Sequence, residues 1–183
     1  NNTAKVGVAG KSINASKALQ TFLNSRGEHV ITRKVFAPIW ILGPMDHFFS
    51  GRVVSVGDAA GQTKPTTAGG IYTCGMAGIF AGRTIANALE NSNLQLLQEY
   101  EKEWFRMFKR EFDKMLLVRR VFEYLDNEAI DRIFKLITSE TIDNISESGD
   151  FDFHSQVLTK LLSVDGAINI AKIFGSEIRK FFS

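Results

Sequence analysis

The segment Arg52-Val-Val-Ser-Val-Gly-Asp-Ala-Ala-Gly-Gln-Thr-Lys-Pro-Thr-Thr-Ala-Gly-Gly-Ile-Tyr72 concentrates residue types that can hold a ligand. Its compact apolar run, residues 53–56, reads as a buried strand ending at Gly57-Asp58. Such a strand delivers the Asp58 carboxylate to the C-terminal edge of a sheet, where open α/β folds hold their ligands and where it can accept hydrogen bonds from a sugar hydroxyl. A loop punctuated by Gly61 and Pro65 follows, and Gly69-Gly70 then opens a helix. That helix start leaves backbone N–H groups and the positive end of the helix dipole directed at the loop, which favours an anionic or electron-rich group there. The competing reading of Asp58 is a turn or helix-capping aspartate; the complete pattern around it favours the ligand. Lys64 would add positive charge beside such a ligand, although a solvated loop lysine is the commoner case.

The elements that position this segment follow from hydrophobic spacing. Residues 5–9 are a short Val-rich run, and residues 16–23 have helical spacing ending near Gly27, so one strand followed by one helix is expected. Residues 29–40 are β-branched and aromatic, Gly43-Pro44 marks a turn, and Gly51 precedes the strand at 53–56. From 69 to 89 the composition is small and helical until Asn91-Ser92-Asn93 interrupts it. Gly75, Gly78 and Gly82 suit close packing of a buried core helix, and Cys74 on the same helix reads as a small buried hydrophobe rather than a nucleophile. Leu97, Tyr100, Trp104, Phe108, Met115, Phe122 and Leu125 form the stripe of one long amphipathic helix. Asp126-Asn127 should stop it and cap the next, whose stripe is Ile130, Ile133, Phe134 and Ile137. Residues 138–152 hold five acidic residues and no Lys or Arg and read as a loop or mobile linker; helices over 153–163 and 166–182 are expected to complete the chain. The expected fold class is α/β with an α-helical C-terminal domain. It divides as 1–49, the end of a substrate-binding sheet region; 50–92, the strand-loop-helix motif; and 93–183, the helical domain.

Composition bounds the function classes. At 183 residues, 44% hydrophobic and 23% charged, the chain can bury one substantial core and a small second one. A lone Cys74 excludes an internal disulfide framework and a thiolate metal site, pointing to a reducing cytoplasmic setting. His29, His47 and His154 are scattered without metal-ligand spacing, so no metal is expected. The N-terminus offers no signal peptide. The longest uncharged stretch, 65–82, is broken by Thr and Gly and falls short of the roughly 18 apolar residues a membrane span needs. Net charge is +2, but residues 1–93 hold nine basic against four acidic side chains and residues 94–183 thirteen against sixteen, so the first half better suits an anionic ligand. Lys102, Arg106, Arg110 and Lys114 make a basic stripe suited to peripheral membrane contact. Interspersed Glu99, Glu103 and Glu111 favour a salt-bridged solvated face instead.

Gly57-Asp58-Ala59-Ala60-Gly61, followed by Pro65 and Ala68-Gly69-Gly70-Ile71, resembles the second FAD motif of the aromatic hydroxylase-like flavoprotein superfamily, most closely its geranylgeranyl reductase branch. The resemblance runs from about Val6 to Glu90 and includes residues 38–44; the helical tail matches only in general character. It implies cofactor-binding roles for Gly57, Asp58, Ala59, Pro65, Gly69, Gly70 and Ile71. Asp58 would hold the FAD ribityl chain, Pro65 would lie beside the isoalloxazine, and the helix from Gly69 would point at the pyrimidine edge, stabilising anionic reduced flavin. Hydroxylases usually carry His where this chain has Gly61, which tilts the resemblance toward alkene reduction. Lys64 and Thr66 depart from the reductase pattern, which commonly has Asn and an apolar residue there.

The implied activity is FAD-dependent reduction of carbon–carbon double bonds of geranylgeranyl lipids, such as those of archaeal phospholipid metabolism. The implied partners are a prenyl lipid and an electron donor such as a reduced nicotinamide or ferredoxin, with no nucleic acid. Trp104, Phe105, Phe108 and Phe112 would line an isoprenoid tunnel, or else form core. No catalytic acid can be assigned. The superfamily's opening Gly-x-Gly-x-x-Gly turn is missing: Gly7-Val-Ala-Gly10 is too short, and Ala9-Gly10-Lys11-Ser12 imitates a P-loop ending but has Lys5 where the first glycine belongs. The expectation is therefore a portion of a longer enzyme whose N-terminal FAD-binding part is absent. A flavin monooxygenase or electron-transfer flavoprotein of the same fold, and a non-enzymatic lipid-binding remnant, are the rival readings.

Overall fold

The computed structural model describes residues 3–136, 142, 143, 146, 150, 152 and 153, without the side chains of Ile133 and Leu136. It divides into two compact units, Asn1–Pro38 and Ile39–Ser183.

The first unit contains one helix, α1, Ala15–Asn24, where the 16–23 periodicity places it. Asn14 starts it by accepting a hydrogen bond from the Lys17 N–H at 2.9 Å, and Lys34 reaches Ser16 Oγ at 3.2 Å. No residue of α1 is buried. The strand expected at 5–9 does not form, and residues 29–40 are also without regular structure. A β-branched run becomes a strand only where a neighbour takes its backbone groups, and neither run has one among the described residues.

In the second unit, β1 (Phe49–Ser50) and β2 (Val53–Val54) form an antiparallel hairpin in the register Phe49↔Val54 and Ser50↔Val53. The expected buried strand over 53–56 is thus shorter, and Val53 is 68% exposed. Pairing on one side only leaves alternate side chains in solvent, while Val54 and Val56 turn toward the core. This hairpin is the only sheet among the described residues, so the α/β character is slight and helices carry the unit.

Helix α2, Ile71–Glu90, and helix α3, Gln98–Glu123, form its body. The buried stripe of α2 is small, Thr73, Ala77, Ala81, Thr84 and Ala88; that of α3 is large, Tyr100, Trp104, Phe108, Phe112 and Met115. Small residues against rings let the helices approach closely, and Phe48 completes the cluster with its ring 5.2 Å from Trp104 and 4.9 Å from Phe105. Trp104, Phe108 and Phe112 are core, with Phe105 partly buried against them. Gly75, Gly78 and Gly82, expected inside, lie on the opposite exposed face of α2 with nothing near a built Cβ. The small residues that permit close packing are the alanines and threonines, not the glycines.

Helix α2 stops at Asn91, as expected, and Asn93 caps the short turn that leads into α3 by accepting from the Gln95 N–H at 3.0 Å. After α3, Asp126 accepts from the Ala129 N–H at 2.7 Å and starts α4, Asn127–Leu136, the cap its sequence predicts. The helices expected at 153–163 and 166–182 and most of the 138–152 stretch lie outside the described residues.

Candidate functional site: a polar loop between hairpin and helix

Backbone shape is set first by glycine. Val56 is extended, Gly57 turns at φ +70°, and residues Gly57–Ala60 make one 3-10 turn closed by Gly61 at φ +69°. A Cβ on Gly61 would stand 2.2 Å from the Gly43 carbonyl oxygen, so no side chain fits there. The Gly43 carbonyl is itself fixed by the Trp40 indole N–H at 2.7 Å, and the Met45 N–H donates to the Ala60 carbonyl at 3.0 Å.

Below the loop lies a closed hydrogen-bond network. Gln62 is fully buried; its Oε1 accepts from the Gly57 N–H at 2.7 Å, and its Nε2 donates to Tyr100 Oη at 2.8 Å. Tyr100 Oη in turn donates to the Ser55 carbonyl at 3.1 Å, and the Gln62 carbonyl accepts from Thr73 Oγ1 at 2.6 Å. Burial pushes the Tyr100 phenol up to about 12, with the Gln62 hydrogen bond pulling the other way. Arg119, which no sequence pattern singled out, reaches up from α3 to donate to the Pro65 carbonyl at 3.0 Å.

The upper side is open. Asp58 is exposed; its Oδ1 accepts from Thr63 Oγ1 at 2.5 Å and lies 3.8 Å from Cys74 Sγ, while Oδ2 has no protein partner among the described residues. Gly70 brings the α2 N-terminus against this carboxylate: a Cβ on it would meet Cys74 Sγ at 2.9 Å and lie 3.6 Å from Asp58 Oδ1. No side chain caps α2, and Ile71 points into solvent at 97% exposure. The amides of its first turn are therefore available to a ligand. Cys74 is half-buried rather than buried; burial first, and then the charge of Asp58, push its thiol up, which keeps it protonated at neutral pH.

Of the residues the motif named, Gly57, Asp58 and Gly70 converge around Cys74. Ala59 is exposed beside Asp58, Gly69 closes the turn below Gly70 by accepting from the Lys64 N–H at 2.9 Å, and Pro65 is buried on the lower side. Lys64 requires correction. It is 2% exposed rather than solvated, and its ammonium donates to Asp152 Oδ1 at 2.9 Å. The partner is 88 residues away in sequence, beyond the reach of any local pattern.

On the outer face of α3, Lys102 pairs with Glu99 at 2.7 Å and Glu103 pairs with Arg83 of α2, while Arg106 and Arg110 face solvent. Glu111 is instead buried. The stripe is thus salt-bridged in part. Among the described residues, no helix is long and apolar enough to cross a membrane, and no three His, Cys, Asp or Glu side chains gather as a metal site would need.

No family model matches the chain. Individual proteins do. An uncharacterized protein of Methanocaldococcus jannaschii is 38% identical over 122 residues, covering 66% of this chain and 31% of its own length. Digeranylgeranylglycerophospholipid reductase 2 of Methanothermobacter thermautotrophicus is 28% identical over 131 residues, 70% of this chain and 34% of that protein. Digeranylgeranylglycerophospholipid reductase 3 of Methanosphaera stadtmanae is 30% identical over 156 residues, 79% and 39%. The fold is similar to that of a geranylgeranyl bacteriochlorophyll reductase-like protein of Thermoplasma acidophilum, with a TM-score of 0.63 at 19% identity over 87% of this chain and 39% of that one. The chain thus spans about a third of the length of the curated relatives it matches. Motif and relatives support a geranylgeranyl reductase family for this chain, and the fold is similar to that of a geranylgeranyl reductase-like structure.

Proposed function

We propose that the chain supplies the second cofactor-facing segment of an FAD-dependent reductase that saturates carbon–carbon double bonds in geranylgeranyl lipids, of the kind its digeranylgeranylglycerophospholipid reductase relatives are named for. The observation that carries this reading is Asp58: one carboxylate oxygen is fixed by Thr63 and the other is open, beside the uncapped start of α2. FAD, when bound, supplies the hydride carrier. The chain's own residues do the rest. Asp58 Oδ2 would accept from a ribityl hydroxyl, and Gly57 and Ala59 would let the backbone approach. Pro65 and Gly69 would shape the turn, and Gly70 and Ile71 would present amides and the positive end of the α2 dipole to the electron-rich edge of the ring.

The space at Gly61 supports a reductase over a hydroxylase, since the Gly43 carbonyl leaves no room for the hydroxylase histidine. In this proposal, residues 1–49 end a substrate-binding sheet region, 50–92 are the cofactor motif and 93–183 the helical domain. The electron donor is of the reduced nicotinamide or ferredoxin type, and the enzyme is cytoplasmic, touching the membrane peripherally to reach its prenyl lipid.

The test is the visible absorption spectrum of the longest native form of the polypeptide. Yellow protein is expected, with Asp58→Ala binding FAD at least ~10-fold more weakly, the loss of one hydrogen bond to a charged acceptor. A colourless native protein that cannot be reconstituted with FAD sinks the proposal.

A further inference from the structure

We propose that residues 3–38 form a docking surface for an anionic lipid bilayer, with helix α1 lying in the interface. The surface is argued from charge and apolar exposure alone; that the lipid met there serves the cofactor site rests on the FAD reading above.

Charge is the first observation. Residues 1–38 hold six Lys or Arg against the single carboxylate of Glu28, a surplus of five in a chain whose net charge is +2. Among the described residues, Lys5, Lys17 and Arg33 pair with no carboxylate. The basic stripe on α3 differs, since Glu99 neutralises its Lys102 at 2.7 Å. A surplus left without counter-charges on one compact unit attracts a polyanionic surface.

The second observation is apolar. Ala15, Ala18, Leu19, Phe22 and Leu23 recur at i, i+3, i+4, i+7 and i+8 and form one face of α1, yet no residue of that helix is buried. At 10 residues, α1 is shorter than the ~12–15 that hold helical form alone in water, so it gains from any surface that takes this face. Beyond the helix, Val30 is 88% exposed and Val35 67%.

Both properties meet at single sites. The Arg26 guanidinium lies 4.7 Å from the centre of the exposed Phe22 ring, and the Lys34 ammonium 5.2 Å from that of Phe36. A ring with a cation beside it suits the boundary of a bilayer, where the ring enters the acyl region and the cation stays among the phosphates. This combination selects the occupant. A second copy would bring an equal positive surplus against this one and be repelled. A nucleic acid would satisfy the cations and leave the apolar face in water. An anionic bilayer answers both.

The test is cosedimentation of the native polypeptide with vesicles of phosphatidylcholine, alone or with about one third phosphatidylglycerol. Binding to the anionic vesicles is expected to be at least ~10-fold tighter than to the neutral ones and to weaken as salt is raised. Lys17→Glu combined with Arg33→Glu should lower it at least ~30-fold. Lys17 is in the first turn of α1, where a carboxylate favours the helix, so this loss cannot be put down to helix melting. Phe22→Ser should lower it about tenfold through lost apolar burial. No binding to anionic vesicles overturns the proposal, and binding that survives the charge reversals overturns it too, because another surface is then responsible. If Phe22→Ser binds like the wild type, or an RNA oligomer binds more tightly than the vesicles, charge alone is at work and the bilayer is the wrong occupant. Should Phe22→Ser fail to fold, Phe36→Ser, in a segment without regular structure, carries the same readout. Yellow protein that ignores vesicles sinks this proposal and leaves the FAD reading standing; colourless protein that binds them does the reverse.

Discussion

The two sides of the 57–70 loop are built on opposite principles. On the lower side every polar atom of Gln62 is satisfied, Tyr100, Thr73 and Arg119 hold the backbone, and Gly61 is wedged against the Gly43 carbonyl. On the upper side Asp58 has an open oxygen, α2 begins without a cap, and Ile71 stands in solvent. A buried polar group without a partner is costly, so folding pairs the buried polar atoms of the lower side, Arg119 Nε being the exception among the described residues. An exposed carboxylate bears no such penalty and can remain incomplete until a ligand arrives. Rigidity and receptivity are thereby assigned to different faces of one short loop.

Substitutions should separate these faces. The largest effect belongs to Gly61→Val, which combines a disfavoured backbone angle with a clash against backbone; we expect a loss of ~3 kcal/mol or more, read as a large fall in the thermal midpoint. If the variant melts like the wild type, the wedge against Gly43 is not what sets the loop.

Tyr100→Phe comes next. It removes the acceptor of Gln62 Nε2 inside the core and should cost ~1–2 kcal/mol at neutral pH. Its pH dependence has a definite sign. The folded phenol titrates near 12, above the ordinary value of 10, so the unfolded chain loses this proton first as pH rises. Wild-type stability from this group is intact below pH 10 and disappears between 10 and about 12, whereas the Phe variant lacks that alkaline decline. Urea unfolding across this range, compared between the two proteins, measures the difference.

The smallest stability change is expected on the upper side. Asp58→Asn should alter stability by no more than ~0.5 kcal/mol, because its carboxylate is exposed. It should nonetheless make Cys74 react faster with iodoacetamide at pH 8, since after burial the Asp58 charge is the largest influence raising that thiol. A large stability loss with no change in thiol reactivity would place Asp58 among the structural residues and erase the contrast between the faces.

Local order along the chain explains what could be read before the fold was known. Helices α1 to α4 follow from helical spacing and composition, and the start of α4 from the cap at Asp126, whose hydrogen bond reaches only three residues. The Gly-Asp-Ala-Ala-Gly motif and its glycine-opened helix were legible for the same reason: each constraint lies within about fifteen residues of chain. The strands were legible only in part, β2 at Val53–Val54 falling inside the expected 53–56 run and nothing forming at 5–9, because a Val-rich run declares a preference that only a neighbouring strand can satisfy.

The amino-acid sequence by itself determined the four helices, the position of the loop and the family it resembles. Tertiary structure alone decided that Lys64 is buried against Asp152, that the faces of α2 are divided between packing alanines and exposed glycines, and that Arg119 supports Pro65. Helical periodicity and capping act over one or two turns, so they are written in adjacent residues. Burial and ion pairing depend on which distant segments meet, and a side chain that reads as solvated in its own neighbourhood becomes structural when the fold brings a carboxylate to it.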